Sequence, residues 1–322
     1  MRQFAKPTIV VSKCLEFDAC RYNGEMIPDV TIRNLQPFVT FIPVCPEVEI
    51  GLGTSRETIR IVEENGENRL VQPSTREDVT EKMEQFSNDF LQTISDVDGF
   101  ILKNRSPSCG TRDVKIYSGF EKAPAKGKGS GLFGGAVVKK FSHLPIEEEG
   151  RLSNFIIREH FFTRLFTIAY YKMIKHNKNM KDLVSFQSDN KYLFMAYNQV
   201  KQKELGRIIA NHKNEKIEVV FENYEKTLYE LFMRTPRYTS NVNVCEHIFG
   251  YFKTKLKKQE KDHFIELLQK YAEKKIPLSS LLTILKSWAI RFDEKYLLRQ
   301  TYFEPYPEAL VEISDSGKGR DY

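Results

Sequence analysis

The sequence predicts an α/β domain with a largely parallel sheet, followed by an all-α domain. In residues 1–146 short apolar runs alternate with glycine-containing turns, and one stretch with helical spacing lies among them. Buried-looking apolar runs that flank a helix are typical of strands in a parallel sheet. From residue 151 onwards long amphipathic patterns replace the short runs. This change predicts a first domain in 1–146 and an all-helical second domain in 151–322.

Four apolar runs are expected to form strands in the first domain. They are TIVV at 8–11, FVTFIPV at 38–44, GFILK at 99–103 and VKIY at 114–117. Between the second and third runs, residues 75–94 open with a threonine suited to capping a helix and then repeat apolar side chains at helical spacing. Those side chains are Val79, Met83, Phe86, Phe90 and Ile94.

The remaining segments are assigned from composition and pattern. Residues 119–131 are rich in glycine and lysine without periodicity, which predicts a surface loop. The last eight residues, 315–322, are expected to lack fixed structure. Amphipathic patterns predict the helices of the second domain at 153–176, 190–211, 216–233, 241–257, 260–275 and 278–298.

Composition excludes several classes of protein. The 322 residues are 41% hydrophobic and 29% charged, as in folded soluble proteins. No apolar stretch approaches the ~20 residues of a membrane span, so no membrane partner is expected. The N-terminus lacks the apolar region of a secretory signal, which predicts a cytoplasmic protein. The five cysteines are odd in number and spread along the chain, which predicts free thiols rather than a disulfide framework. Nothing in the sequence indicates the oligomeric state.

Charge is divided unevenly along the chain. Residues 1–150 carry 19 basic and 22 acidic side chains, a net charge of −3, whereas residues 151–322 carry 30 and 21, a net charge of +9. A basic half suggests a polyanion such as a nucleic acid as its partner, although moderately basic domains without such a partner are common. Charge alone leaves both interpretations open.

Three of the cysteines follow predicted strands. Cys14 and Cys45 come just after the first and second strands, and Cys109 follows the third by a short turn. In open α/β sheets the carboxyl ends of the strands meet at one crevice, so thiols far apart in sequence can lie together there. Cys20 lacks this context, and Cys245 lies in a helical pattern, where a cysteine is usually a small buried side chain.

A trio of thiolates is best suited to hold a metal ion or a cluster. A closed structural zinc site needs a fourth protein ligand, and these turns contain neither a CxxC pair nor a histidine. A 4Fe-4S cluster with three cysteine ligands leaves one iron open to exogenous sulfur or oxygen. The trio therefore favours a catalytic cluster over a structural zinc site.

The segments around these cysteines carry a family resemblance. They are VSKCLEFDACRYNG at 11–24, PVCPEVEIGLG at 43–53 and LKNRSPSCG at 102–110. Together they resemble the signature segments of the thiouracil desulfidase family. Three segments of the second half resemble the YbgA-like helical domain often fused to that family. These are EEEGRLSNFIIREHFFTRLF at 147–166, NVCEHIFGYFK at 243–253 and RQTYFEPYPEAL at 299–310. The two-domain arrangement resembles desulfidases of the RudS type, which act on 4-thiouridine in tRNA.

The resemblance implies a non-redox hydrolysis on a 4Fe-4S cluster held by Cys14, Cys45 and Cys109. The open iron would bind the thiocarbonyl sulfur as a Lewis acid, and water would attack the carbon of the base. Sulfur would leave as hydrosulfide and the thiolated base would become uracil. One departure from the family pattern is Ser55, where a proline is expected before Arg56. The departure concerns the rigidity of that loop and not the ligands.

Two residues of the signature segments are candidates for the chemistry. Glu47, two residues after Cys45, is the candidate for proton transfer, with a salt bridge or helix cap as its alternative role. Ser106, three residues before Cys109, is a candidate hydrogen-bond donor, with a turn as its alternative role and Ser108 as its competitor.

Candidates for substrate binding come from both halves, because a base inside tRNA must be unstacked while its phosphates are held. In the signature segments they are Arg21, Tyr22, Arg56 and Lys103. The basic half adds a set interpreted as one helical face, a second set on a later helix, and the run KTKLKK. These are Arg158, His160 and Arg164; Lys201, Lys203 and Arg207; and Lys253, Lys255, Lys257 and Lys258. Each of them alone is equally consistent with a solvated helix face. Aromatic side chains that could stack on bases, or form a core, are Tyr192, Phe194, Tyr197, Tyr302 and Tyr306.

Three functions remain open, with a desulfidase of 4-thiouridine in tRNA as the first. The second is a desulfidase of free thiouracil or thiouridine, which activity on the free base but not on thiolated tRNA would favour. The third is an RNA-binding or redox-sensing cluster protein without catalysis. Cluster assembly without release of hydrosulfide would favour this third function.

Overall fold

The structure, a computed structural model, describes residues 2–94, 96–120 and 123–312. They form two compact units. The first contains the described residues up to Ala169 together with 309–312, and the second is Tyr170–Glu308. The division falls inside a helix, further along the chain than the change of sequence pattern at 146–151. The tail expected to lack fixed structure, 315–322, lies outside the described residues.

The described part of the first unit contains two sheets. Its strands are β1 (Thr8–Ser12), β2 (Thr40–Val44), β3 (Arg60–Glu64), β4 (Glu67–Gln72), β5 (Glu77–Asp78), β6 (Gly99–Leu102), β7 (Val114–Tyr117), β8 (Ala125–Gly129) and β9 (Ile146–Glu148). One sheet has the order β2-β1-β6-β9 and is entirely parallel, which confirms the predicted parallel sheet. The other has the order β5-β4-β3-β7-β8, and only β3 and β7 pair in parallel there.

The parallel sheet is buried because its central strands are apolar on both faces. Ile9, Val10 and Val11 of β1 are fully buried, and so are Phe100 and Ile101 of β6. Strands covered on both faces have continuous apolar sequences, which is why three of the four predicted strands belong to this sheet. The fourth, β7, lies in the mixed sheet.

Strand β8 corrects the loop expected over 119–131. It pairs antiparallel with β7, where Lys115 lies opposite Lys128 and Ile116 opposite Gly127. Most of its residues are exposed, so the pairing depends on backbone hydrogen bonds rather than on burial. Alternating lysine and glycine presents no apolar face, and composition therefore gave no signal of a strand.

The helices of the first unit are α1 (Val30–Leu35), α2 (Thr80–Thr93), α3 (Leu132–Phe141), α4 (Glu149–Leu152) and the first part of α5 (Phe155–Asn177). The helix expected over 75–94 begins only at Thr80. Residues 77–78 are instead paired with β4, and the Asp78 carboxylate accepts a hydrogen bond from the Thr80 amide at 2.8 Å. A carboxylate in this position caps the helix start.

The second unit is helical, as predicted. Besides the end of α5 it contains α6 (Met180–Asp189), α7 (Lys191–Tyr197), α8 (Gln199–Ala210), α9 (Ile217–Leu231), α10 (Tyr238–Phe249), α11 (Lys258–Ala272), α12 (Leu278–Arg291) and α13 (Lys295–Leu298). Its core is rich in aromatic side chains such as Tyr171, Phe186 and Tyr224, whose rings contact one another. Cys245 is fully buried in this core, where it was expected to pack. No described helix is long and apolar enough to cross a membrane.

Candidate functional site

A pocket of about 350 Å³ is lined by Cys14, Cys45 and Cys109. β1 and β2 are paired in register up to their last residues, and Cys14 and Cys45 follow those ends closely. β6 pairs with the other side of β1, and the chain then turns through 103–108 to Cys109. The parallel register thus brings together three thiols that are far apart in sequence.

Ser106 shapes the turn that carries Cys109. Its Oγ accepts hydrogen bonds from the backbone amides of Ser108 at 3.2 Å and of Cys109 at 3.1 Å. The start of α3 packs closely on the same turn, because a Cβ at Gly134 would lie 2.3 Å from the Cys109 carbonyl oxygen. Ser106 therefore has the turn role considered for it, and its hydroxyl proton remains available for donation.

Two adjacent carboxylates hold the ends of the segment that carries Cys109. Glu148 Oε1 accepts hydrogen bonds from the Thr111 amide at 2.7 Å and the Arg112 amide at 3.2 Å. Glu149 accepts one from the Asn104 amide at 2.7 Å and forms an ion pair with Lys103. The acidic run at 147–149 suggested only a domain junction, and its role in fixing this segment was missed by the sequence analysis.

Glu47 lies in the pocket as part of a hydrogen-bonded network. Its Oε2 accepts hydrogen bonds from Nη2 of Arg56 and from Nε at 2.9 Å, and its Oε1 accepts one from the Ser108 hydroxyl at 2.9 Å. Arg56 Nη1 also donates to the carbonyl oxygens of Cys20 at 3.0 Å and Gly53 at 2.7 Å. The Arg56 side chain is 5% exposed and that of Glu47 14%. Glu47 thus has the expected salt bridge while still facing the pocket, and Ser108 is the serine in contact with it.

Burial sets the protonation of the pocket thiols. It raises the pKa of Cys14 to about 12, with the neighbouring Cys45 thiol adding to the effect. Burial also raises the pKa of Cys109 well above its usual value. Without a bound cation both thiols are therefore protonated at neutral pH. Binding of a metal or cluster would release their protons.

The donor set fits a soft, multinuclear group better than a single ion. Among residues 2–94, 96–120 and 123–312, no three His, Cys, Asp or Glu side chains converge as a site for one metal ion. Three buried thiols nevertheless line one pocket. Thiolates are the ligands that iron–sulfur clusters use, and a cluster of several irons spaces its ligands more widely than one ion does.

Cys20 also lies in this pocket, which the sequence analysis did not predict. It lines the pocket and is 2% exposed. Its carbonyl oxygen lies 3.8 Å from Cys45 Sγ, which donates to it, and its thiol is within hydrogen-bonding reach of the same sulfur. Burial, followed by the proximity of Cys45, raises the pKa of Cys20 to about 12. A position outside the strand ends gave no signal of this placement.

Three further candidates for substrate binding line the pocket. The Tyr22 ring is 44% exposed, and the Arg21 guanidinium lies 5.5 Å from its centroid. Arg21 also pairs with Glu25 at 3.5 Å. Lys103 is held by the buried carboxylate of Glu149, so its ammonium is fixed in place. Arg56, the fourth candidate, is occupied by Glu47 and backbone carbonyls rather than open to substrate.

Ser55 explains the departure from the family pattern before Arg56. Its φ is +55°, in the left-handed region. Proline is locked near −65° and cannot adopt this conformation. A Cβ at Gly24 would lie 2.8 Å from Ser55 Oγ, so the loop here packs against the connection that contains Cys20. In this chain the loop has its own backbone path in place of the proline.

The expected basic face on α5 is corrected by the structure. Residues four apart share a helical face, as His160 and Arg164 do, but Arg158 does not belong to it. Arg158 is 4% exposed and donates to the carbonyl oxygens of Leu152 at 2.8 Å and Glu312 at 2.7 Å. Burial lowers the pKa of His160 to about 3, so its ring is neutral at physiological pH. Neither Arg158 nor His160 therefore presents a charge to a phosphate.

The basic candidates of the second unit differ in their availability. Lys201 pairs with Glu204 at 2.9 Å and with Glu230 at 2.6 Å. Lys203 and Arg207 are exposed and four residues apart on α8, and the described residues record no ion pair for either. In the second run, Lys255 is paired with Glu294, whereas Lys253, Lys257 and Lys258 are exposed. Of the aromatic candidates, four are buried in the structure and cannot stack on a base. They are Tyr192, Phe194, Tyr302 and Tyr306.

The fold and the pocket define a thiol-rich cofactor site at the carboxyl edge of a parallel α/β sheet. The family model described as 2-thiouracil desulfurase matches residues 9–149. The uncharacterized protein YbbK of Bacillus subtilis (strain 168) is 35% identical over 118 residues, which are 34% of this chain and 77% of YbbK. The chain belongs to the 2-thiouracil desulfurase family.

The second half matches a different family model, described as a protein of unknown function (DUF1722), over residues 191–307. The uncharacterized protein YbgA of Escherichia coli (strain K12) is 23% identical over 156 residues, which are 48% of this chain and 92% of YbgA. Among solved structures, the 4Fe-4S-dependent thiouracil desulfidase TudS is similar, with 25% identity and a TM-score of 0.37. The similarity covers 46% of this chain and 93% of that one. A desulfurase domain fused to a YbgA-like domain is the architecture expected from the sequence.

Proposed function

We propose that this chain removes sulfur from 4-thiouridine in tRNA by hydrolysis, giving uridine and hydrogen sulfide, in the cytoplasm. The observation that carries the proposal is the pocket lined by Cys14, Cys45 and Cys109 together with Glu47, in a chain of the 2-thiouracil desulfurase family. The overall change replaces the thiocarbonyl sulfur by oxygen from water, so no electron donor or acceptor is needed.

The residues that would hold the cofactor are the three strand-end cysteines. Their thiolates suit a 4Fe-4S cluster, which with three protein ligands supplies an open iron as a Lewis acid for the thiocarbonyl sulfur. Glu149 and Glu148 fix the segment that carries Cys109, and so fix one ligand relative to the other two.

Proton transfer is assigned to Glu47. Arg56 occupies one carboxylate oxygen through two donors, which sets the orientation of the group. The other oxygen accepts from Ser108 and keeps a lone pair that can take a proton from the attacking water. The same carboxyl can then return the proton to the departing sulfur.

The pocket can receive a base that has left its stack. Tyr22 offers an exposed aromatic ring at the pocket, and stacking on such a ring does not depend on base identity. Lys103 and Arg21 add positive charge for an adjacent phosphate. A pocket of about 350 Å³ also admits a free thiouracil, so a desulfidase of the free base is the second candidate.

The second unit would supply the affinity for tRNA. Lys203 and Arg207 are the best placed of its basic side chains, because they share one face of α8 and are exposed. Reversing both charges, in K203E/R207E, is expected to weaken tRNA binding and to make the salt dependence shallower by about two in log–log slope, roughly one for each phosphate contact. Turnover of free 4-thiouridine, which needs only the pocket, is expected to be unchanged.

The experiment measures tRNA affinity at several salt concentrations and turnover of both thiolated tRNA and the free nucleoside. K82E/K126E, which reverses two exposed lysines of the first unit, is the control with the same change of net charge. Equal tRNA affinity and salt slope in K203E/R207E would remove α8 from the interface and leave Lys253, Lys257 and Lys258 to be tested. Wild-type activity on the free nucleoside but none on thiolated tRNA would select the second candidate.

A further inference from the structure

Cys20 lines the pocket but is not one of the three proposed ligands. It stands in the connection between β1 and α1, whereas Cys45 directly follows β2. The two residues thus come from different elements and still place their thiols within hydrogen-bonding reach. Cys20 is almost fully buried, so water does not compete for this contact.

The backbone around Cys20 is anchored independently of its side chain. Its carbonyl oxygen accepts from Arg56 Nη1 at 3.0 Å. At the base of the loop, the Ile27 amide donates to the Cys14 carbonyl at 2.8 Å and the Asp18 amide to the Lys13 carbonyl at 3.0 Å. Removing the thiol should therefore leave the chain path unchanged, which makes the role of the sulfur atom testable on its own.

We infer that Cys20 is a positioning residue whose thiol donates a hydrogen bond to the Cys45 sulfur when Cys45 is a cluster ligand. The inference rests on the proposed function, since it requires a cluster at Cys45. Ligation removes the proton of Cys45 and makes its sulfur an acceptor, and Cys20, which is not a ligand, is the adjacent donor.

Such a hydrogen bond has a chemical consequence. It withdraws negative charge from the ligating sulfur, and hydrogen bonds to the sulfurs are among the factors that set a cluster's reduction potential. The same withdrawal makes an open iron a stronger Lewis acid toward a thiocarbonyl sulfur. Cys20 would thus adjust the reactivity of the site without contacting the substrate.

The test compares the full chain, reconstituted without oxygen, with Cys20→Ala, Cys20→Ser and Cys245→Ala. Iron and acid-labile sulfide per chain are measured first, and then the one-electron midpoint potential by a redox titration monitored by EPR. All four proteins are expected to hold the same iron. Cys20→Ala should be harder to reduce by about tenfold in equilibrium constant, which is 59 mV for one electron. Cys20→Ser keeps a donor and should recover most of this shift, and Cys245→Ala, in the other unit, should show none.

Each other outcome overturns the inference in a recognisable way. Equal potentials in wild type and Cys20→Ala would exclude the hydrogen bond. Loss of iron in both Cys20 variants would make Cys20 a ligand. A wild-type chain that binds no iron would overturn the proposed function together with this inference, whereas a wild-type cluster with an unshifted Cys20→Ala potential would overturn the inference alone.

Discussion

Replacing Cys14, Cys45 or Cys109 by alanine is expected to remove most of the bound iron and to reduce desulfuration to the level of the cluster-free chain. The reason is that each thiol is one of only three proposed ligands, and a cluster held by two is exposed to loss. Iron and sulfide per chain after anaerobic reconstitution are the direct measurements, with circular dichroism to verify that each variant is folded.

Cys245→Ala is the matched control for these variants. Cys245 is buried as they are, but it lies in the helical core of the second unit beside the Tyr302 hydroxyl. It should keep the full iron content. Wild-type iron in all three single variants of the strand-end cysteines would refute the ligand assignment.

Glu47→Ala is expected to slow desulfuration by about 10²-fold or more while the iron content stays at the wild-type level, because it removes a proton-transfer group and no ligand. The measurement is the single-turnover rate on thiolated tRNA at saturating enzyme. Glu47→Gln should be similarly slow, since an amide keeps an acceptor for Arg56 but cannot take up the proton.

Glu49→Ala controls for the loss of a carboxylate near Cys45. Glu49 lies two residues further on, in the exposed part of the π-helical turn Val48–Leu52. It should turn over at the wild-type rate. A Glu47→Ala protein with near wild-type turnover would make Glu47 a structural partner of Arg56 and move the search for the proton route to Ser106, Ser108 and water.

The sequence could predict the parallel sheet and the convergence of its cysteines because both follow from one rule. Strands buried on both faces have continuous apolar sequences, and parallel strands end at the same edge. A cysteine just after such a run is therefore placed by the run itself, as Cys14 and Cys45 are. Cys109 needed the additional turn held by Ser106, which the SPSC segment made recognisable.

The features that were missed depend on contacts between distant segments. Strand β8 forms by backbone pairing and carries no apolar pattern. Cys20 reaches the pocket because its connection folds back over the strand ends, where Arg56 holds its carbonyl. Arg158 appeared to be a charge for phosphate, yet it serves the carbonyls of its own unit. Local periodicity contains none of this information.

The central claim is that this chain exchanges the sulfur of a thiolated base in tRNA for oxygen from water. The most direct test incubates the reconstituted wild-type chain with 4-thiouridine-containing tRNA, without oxygen, in water enriched in oxygen-18, and then determines the masses of the nucleosides and the hydrosulfide released. The claim predicts uridine that carries one oxygen-18 atom and one hydrosulfide for each 4-thiouridine lost. Unchanged 4-thiouridine, or a product without the label, would contradict it.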